Sequence, residues 1–157
     1  MAADPELMKQ IVDAVPQQYP FRFIDHLIEL GDERVVGAYR FREDEYFYAG
    51  HFPDFPVTPG VILIETMAQT GVVAFGIYLT MQQMNITAEQ TKGLTTLFTI
   101  CEDVEFLKIV QPGEKVIIYG EKLYFRKGNL KSKIHMETQK GEIICRGILA
   151  GRGANLA

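Results

Sequence analysis

The stretch "HFPDFPVTPGVILIETMAQTG", residues 51–71, joins a proline-containing loop to a segment that is almost entirely apolar. Pro59 is suited to the start of a helix, because it has no amide hydrogen to lose and its φ is fixed. Apolar character from Gly60 to about Gln82 predicts a helix of roughly 20 residues. Polar residues such as Glu65 lie inside it and basic flanks are missing. We therefore interpret it as a helix buried by protein, not as a membrane span.

Strand-like segments flank this helix on both sides. Before it, residues 19–30 and 34–41 are separated by a turn and predict a hairpin. After it, short segments separated by glycine-containing turns predict further strands, at 93–102, 103–110, 115–127, 130–139 and 142–150. Apolar and polar residues alternate in 130–139, which is typical of an antiparallel sheet with one face in water. The predicted fold is α+β, with a curved antiparallel sheet wrapped around one long central helix.

The chain reads as one domain from residue 1 to residue 157, since domains of this size are the norm. Leu7, Ile11 and Val15 are four residues apart and predict a short N-terminal helix within residues 1–16. Residues 151–157 are rich in small residues, and we expect a frayed tail there.

Composition excludes several classes of function. A net charge of −4 and a pI near 5.4 argue against nucleic-acid binding and give no reason for attachment to an anionic membrane. The N-terminus lacks the basic and apolar regions of a signal peptide, so a cytoplasmic location is expected. Cys101 and Cys145 do not form a disulfide framework and are expected to be buried strand residues. The three histidines and two cysteines do not have the spacing of a metal site.

Three features of the opening stretch could carry chemistry. Gly60 and Val61 would present free amides at the positive end of a helix, where negative charge is stabilised. From spacing alone, an ordinary helix start is the more common explanation. Glu65 in apolar surroundings would tend to stay protonated, with Gln69 on the same face as a hydrogen-bond partner. The alternative is a glutamate that reaches solvent.

His51 lies in the aromatic loop "YFYAGHFP", where limited access of water would keep the imidazole neutral and able to act as a base. A lone histidine is more often structural than catalytic. Taken together, however, His51, Gly60 and Glu65 supply a base, an oxyanion donor and an acid. That set is suited to removing a proton next to a carbonyl and eliminating a hydroxyl from the adjacent carbon.

The segment "GHFPDFPVTPGVILIETMAQ", residues 50–69, closely resembles the active-site segment of 3-hydroxyacyl-(acyl carrier protein) dehydratases of the FabZ/FabA type, which have the hotdog fold. Residues 19–25 resemble that family's early strand, and residues 104–116 resemble its strand–turn–strand element. The resemblance covers most of residues 17–150.

The resemblance implies a lyase that dehydrates 3-hydroxyacyl thioesters to trans-2-enoyl thioesters without a cofactor or a metal. His51 would take the C2 proton, and Glu65 would protonate the leaving hydroxyl directly or through water. The Gly60 amide would bind the thioester carbonyl, and the remaining expected substrate-binding residues are Val61, Gln69, Phe52 and Pro59. A glutamate rather than an aspartate at position 65 resembles the FabZ branch, which does not isomerise the double bond.

The family's partners are implied in the same way. The acyl chain would arrive on the phosphopantetheine arm of acyl carrier protein. The site would lie at the interface of a homodimer, with histidine from one subunit and carboxylate from the other, and such dimers often assemble into hexamers as trimers of dimers.

Departures from the family pattern at Asp54, Phe55, Thr58 and His26 leave open the acyl chain length, the carrier and the pathway, which is either fatty-acid synthesis or a polyketide or polyene route. Two other functions are compatible with the fold. One is a hotdog acyl thioesterase, which would need a carboxylate to activate water. The other is a non-catalytic acyl-binding subunit.

Overall fold

The computed structural model describes residues 2–155 and consists of one six-stranded sheet packed against a long helix. The elements are α1 (Pro5–Ala14), β1 (His26–Leu30), β2 (Arg34–Arg40), α2 (Gly60–Met84), a one-turn helix (Ala88–Thr91), β3 (Thr95–Phe106), β4 (Lys115–Arg126), β5 (Asn129–Thr138) and β6 (Ile143–Ala154). All strand pairs are antiparallel, in the order β1-β2-β4-β5-β6-β3. The predicted α+β architecture, a sheet around one central helix, is confirmed.

Helix α2 is long and apolar enough to cross a membrane by length and composition, but 67% of its most apolar window is buried by the fold. Core residues of the sheet, among them Val116, Ile118, Met136 and Leu149, are fully buried in one cluster with the helix. The interpretation of this segment as a core helix is therefore supported by its packing.

A π-helical segment, Gln69–Ala74, interrupts α2 where it lies closest to the sheet. A Cβ on Gly71 would be 2.3 Å from the Cδ1 atom of Ile134, and a Cβ on Gly120 would be 3.2 Å from the Cα atom of Gly71. The hydroxyl of Ser132 donates to the Gly71 carbonyl over 2.7 Å. Glycine is thus required for the close approach, and a strand side chain satisfies a carbonyl of the widened turn.

Two strand predictions were wrong. The segment 93–110 forms the single strand β3 (Thr95–Phe106), whose register shifts between Glu102 and Glu105 where Asp103 has a φ of 55°. Asp103 interrupts the strand pattern in the sequence, but a bulge at this residue lets the strand continue. Residues 19–25 are not a strand: the Phe23 amide donates to the side chain of Gln69 rather than to a ladder.

The two terminal segments differ in how they compare with the sequence-based expectation. Helix α1 begins after Asp4, whose carboxylate accepts from the Leu7 amide over 2.8 Å, as predicted for the N-terminal segment. The frayed tail expected from residue 151 was wrong as far as Ala154, because β6 pairs with β3 up to that residue. Residues 156–157 lie outside the described residues. Cys145 is buried as expected, whereas Cys101 is exposed on the edge strand.

Candidate active site

His51 is held by the loop that precedes α2. Its Nδ1 atom lies 2.8 Å from the carbonyl oxygen of Val57, and the Val57 amide donates to the His51 carbonyl over 2.9 Å. Because a carbonyl oxygen only accepts, Nδ1 carries a proton, and in the neutral imidazole the lone pair is therefore on Nε2. The loop thus fixes the tautomer in which Nε2 can act as a base.

Buried polar side chains stabilise the loop that carries His51. Glu45 is 3% exposed and accepts from the Tyr39 hydroxyl and from an Arg42 guanidinium nitrogen, both over 2.5 Å. The hydroxyls of Tyr48 and Thr58 lie 2.7 Å apart. Burial raises the pKa of Tyr39 far above its ordinary value and that of Tyr48 to about 12. Both phenols therefore remain neutral hydrogen-bonding groups that anchor the two ends of the loop.

The first two amides of α2 have no backbone acceptor among residues 2–155. Ile62 and Leu63 both donate to the Pro59 carbonyl, over 3.0 and 3.1 Å. The amides of Gly60 and Val61 precede these and have no backbone acceptor within the described chain. A Cβ on Gly60 would lie 3.0 Å from the ring of Phe106. Glycine at position 60 therefore leaves room for the Phe106 ring to pack against the start of the helix.

Glu65 is oriented by Gln69, one turn further along the helix. The Gln69 Nε2 donates to Glu65 Oε2 over 2.8 Å and to the Phe21 carbonyl over 2.9 Å, while its Oε1 accepts from the Phe23 amide over 2.6 Å. Gln69 is fully buried. Burial raises the pKa of Glu65, and the hydrogen bond from Gln69 opposes this rise only in part. The protonated carboxyl is thereby favoured over a wider pH range than in an exposed glutamate.

Two neighbouring cavities lie between α2 and the sheet, and Glu65 lines the smaller of them. The first is about 20 Å³ and is lined by Glu65, Gln17, Thr96, Phe98 and Gly151, with helix residues of α2 behind them. The second is about 150 Å³, shares Val72, Thr96 and Gly151 with the first, and ends among Met84, Leu94 and Phe125. The second cavity is mostly apolar. Gln17 is a polar lining residue that sequence reasoning missed, since nothing in its surroundings in the chain distinguishes it from an ordinary loop glutamine.

Within one chain, only part of the predicted site is assembled. Glu65 and Gln69 are joined by a hydrogen bond, and Phe52 stacks on the His51 ring with centroids 4.2 Å apart. No hydrogen bond or ion pair links His51 to Glu65 among the described residues, and His51 does not line the cavity of Glu65. Pro59 and Val61 lie at the helix start, and Val61 is 72% exposed.

An exposed apolar edge lies beside these elements. Strand β3 is at one end of the sheet, and it exposes Leu97, Phe98 and Phe106, followed by Leu107 and Ile109. A long apolar edge of this kind is typical of a protein interface. Over residues 2–155, no three His, Cys, Asp or Glu side chains converge as metal ligands.

Comparison with known proteins identifies the family of this chain. A family model described as a FabA-like domain matches residues 15–147. The 3-hydroxyacyl-[acyl-carrier-protein] dehydratase FabZ of Caldicellulosiruptor bescii is 35% identical over 141 residues, covering 89% of this chain and 93% of that protein. The FabZ of Anoxybacillus flavithermus is 32% identical over 139 residues, covering 88% of this chain and 90% of that protein. The chain belongs to the FabA-like family.

Solved structures share the fold at low sequence identity. A chain of the dehydratase heterocomplex ApeI:P from Xenorhabdus doucetiae is 16% identical with a TM-score of 0.72, covering 92% of this chain and 91% of that chain. A thioesterase from Haemophilus influenzae is 15% identical with a TM-score of 0.56, covering 83% and 78%. These similarities establish the hotdog fold. They do not identify the reaction, which is inferred from the site residues.

Proposed function

We propose that this chain is a hydro-lyase that dehydrates 3-hydroxyacyl thioesters on acyl carrier protein to trans-2-enoyl thioesters. The observation that carries the proposal is the combination of a lone pair at His51 Nε2 with a carboxyl at Glu65 whose pKa is raised by burial. One group is prepared to accept a proton and the other to donate one. The named dehydratase relatives, which match over most of their length, support the same reaction.

The elimination follows from these groups. His51 Nε2 takes the C2 proton, the C2–C3 double bond forms, and the C3–O bond breaks as Glu65 protonates the departing hydroxyl to give water. Negative charge that develops on the thioester oxygen is stabilised by the Gly60 and Val61 amides at the helix N-terminus. His51 is then protonated and Glu65 ionised, and exchange of one proton between them restores the starting state. No redox step or cofactor enters this balance.

The acyl chain is assigned to the larger cavity. That cavity shares lining residues with the small one at Glu65. In this proposal the C3 atom of a thioester lies near the carboxyl while the remaining carbons extend between α2 and the sheet. Apolar walls favour an alkyl or polyene chain without further charge. Either a fatty-acid or a polyene pathway could supply such a chain, and carrier-bound substrates of both kinds would distinguish them.

The complete site requires a homodimer in this proposal. His51 and Glu65 are not joined within one chain, and the apolar β3 edge is available to pair with a second copy. Coexpression of a His51→Ala subunit with a Glu65→Gln subunit tests the shared site, because each mixed dimer would contain one site with both native groups. Recovery of activity supports the arrangement, whereas two inactive parents that stay inactive when mixed contradict it.

Acyl carrier protein as the partner and a cytoplasmic location complete the proposal. A hexamer, formed as a trimer of dimers, is the next level of assembly to test by sedimentation.

The reaction is tested by adding water to a crotonyl thioester and following the loss of enoyl absorbance. Wild type should consume the enoyl group and His51→Ala should not, while His26→Ala, an exposed histidine on β1, serves as the matched control. Release of free thiol without enoyl loss would instead indicate a thioesterase. Absence of both reactions on carrier-bound and coenzyme A substrates would indicate a binding subunit.

A further inference from the structure

The side-chain amide of Gln69 is held by the backbone of residues 21–23. Its Oε1 atom accepts from the Phe23 amide over 2.6 Å, and its Nε2 atom donates to the Phe21 carbonyl over 2.9 Å. One of these backbone groups is a donor and the other an acceptor, so together they decide which way round the amide lies. The Nε2 atom is thereby directed toward Glu65, to which it donates over 2.8 Å.

The two backbone groups are not held by the sheet. Strand β1 begins at His26, and residues 21–23 belong to no strand in the described chain. The Phe23 side chain is fully buried, whereas Phe21 is 40% exposed. Core packing therefore fixes the Phe23 amide, and the position of the Phe21 carbonyl depends on further contacts.

Arg22, which lies between these two residues, ties the segment to the C-terminus of α1. Its Nη1 atom donates to the carbonyls of Val15 and Gln17 over 3.3 and 3.2 Å, and its Nη2 atom donates to the Val12 carbonyl. The last turn of α1 contains no basic residue of its own. Arg22 therefore supplies the positive charge that the carbonyl end of a helix favours, through bonds that are strengthened by that charge.

Helix α1 is a firm support for this contact. Its C-terminal half packs in one buried core cluster with the middle of α2, which includes Ile11, Val12, Ala14, Val15, Val73, Ala74 and Phe75. A continuous series of contacts therefore runs from α1 through Arg22 and residues 21–23 to Gln69 and Glu65.

We infer that Arg22 is a positioning residue for dehydration: it holds the backbone that fixes the Gln69 amide, and this amide orients the Glu65 carboxyl. The inference rests on the proposed function. Arg22 lines neither cavity assigned to the substrate, so it acts only through the backbone and Gln69. Without its guanidinium, the Phe21 carbonyl is less restrained, and Gln69 presents Nε2 to Glu65 for a smaller fraction of the time.

Arg22→Met tests the inference, because methionine keeps much of the apolar stem and removes the charged donors. In hydration of a crotonyl thioester, we expect kcat to fall about threefold to tenfold and KM to stay unchanged. Gln18→Met is the matched control: it removes the other side-chain donor to the Val15 carbonyl and should keep the wild-type kcat. Equal losses in the two variants, or an unchanged kcat in Arg22→Met, would overturn the inference.

A double variant shows whether the effect passes through Gln69. Gln69→Met removes the amide, so adding Arg22→Met to it should cause no further loss of kcat. A further loss as large as that caused by Arg22→Met in the native background would show an independent effect and overturn the inference.

Titration of Glu65 separates the inference from the proposed function, because it requires no turnover. Burial raises the pKa of Glu65, and the hydrogen bond from Gln69 opposes this rise. Difference infrared spectra follow the band of the protonated carboxyl, which is identified by its absence in Glu65→Gln. Arg22→Met should move the titration midpoint upward, and Arg22→Lys, which keeps a charged donor near the end of α1, should move it less.

An equal midpoint in wild type and Arg22→Met, or a larger shift in Arg22→Lys than in Arg22→Met, would overturn the inference. If wild type itself fails to hydrate the thioester, the proposed function fails, while the titration still decides whether Arg22 positions Glu65.

Discussion

The side-chain amide of Gln69 donates to the carboxylate oxygen Oε2 of Glu65 over 2.8 Å, and the same amide nitrogen also donates to the Phe21 carbonyl. The amide oxygen of Gln69 accepts from the Phe23 amide over 2.6 Å. Gln69 is therefore held at both ends of its amide, and it fixes one oxygen of Glu65. The other oxygen, Oε1, has no hydrogen-bond donor among the described residues and is available to a substrate. Gln69 thus fixes the orientation of the Glu65 carboxyl, while Oε1 remains free to donate a proton.

Glu65→Gln should lower kcat by about 10²–10⁴-fold, because an amide cannot donate a proton to the leaving hydroxyl. The measurement is the steady-state dehydration rate of a 3-hydroxyacyl thioester. Glu33→Gln, an exposed carboxylate paired with Lys122, is the control and should retain the wild-type rate. A loss below about tenfold would indicate that His51 transfers the proton itself.

The same Glu65→Gln variant should change stability in a pH-dependent way. Burial raises the pKa of Glu65 in the folded chain, so the folded state binds more protons than the unfolded state between the two pKa values. The free energy of unfolding therefore falls as pH rises through the folded pKa. We expect denaturant titrations to show the variant more stable than wild type at about pH 8, with the difference shrinking toward about pH 4. An equal difference at both pH values would contradict this.

Gly60→Ala should reduce kcat/KM by about 10²-fold, because its methyl group would obstruct the thioester at the helix amides. The new Cβ would also lie 3.0 Å from the Phe106 ring. Combination with Phe106→Leu separates the two effects: the double variant should recover the melting temperature and remain slow. Full recovery of activity in the double variant would show that the loss came only from packing.

Gly76→Leu should shorten the acyl chain that the enzyme accepts. Gly76 lines the larger cavity, and a Cβ there would have only Leu130 as a neighbour, at 3.8 Å. A larger side chain therefore fills the cavity without displacing backbone. We expect unchanged kcat/KM with a crotonyl thioester and a loss of about tenfold or more with long chains. Gln82→Leu adds the same bulk to an exposed position of the helix and should leave both rates unchanged.

Glu45→Ala should destabilise the protein by about 2–4 kcal/mol, because the buried Tyr39 hydroxyl and the Arg42 guanidinium lose their shared acceptor. Asp44→Ala is the control: its side chain is 85% exposed and 3.7 Å from Arg42, so a change of less than about 1 kcal/mol is expected. Urea denaturation measures both values. Similar effects in the two variants would contradict a supporting role of the buried cluster for the His51 loop.

Much of the fold could be predicted from the sequence because it depends on local periodicity. The two-residue alternation of β5 and the long apolar run of α2 each identify one element without reference to any other part of the chain. The bulge at Asp103 and the π segment at Gln69–Ala74 could not be predicted in this way. Both are adjustments to neighbours that are distant in the sequence, and local patterns contain no record of such contacts.

The candidate site can likewise be separated into features that the sequence determined and features that depend on the fold. By itself, the sequence determined which groups stand within one short segment, a histidine, a Pro-Gly helix start and a carboxylate, and hence which chemistry they can perform together. Only the tertiary structure decided the proton position on His51, the orientation of Glu65 by Gln69, and the arrival of Gln17 at the same cavity. The physical reason is that protonation, burial and hydrogen-bond partners are set by atoms brought together in folding, and Gln17 lies forty-eight residues before Glu65 in the chain.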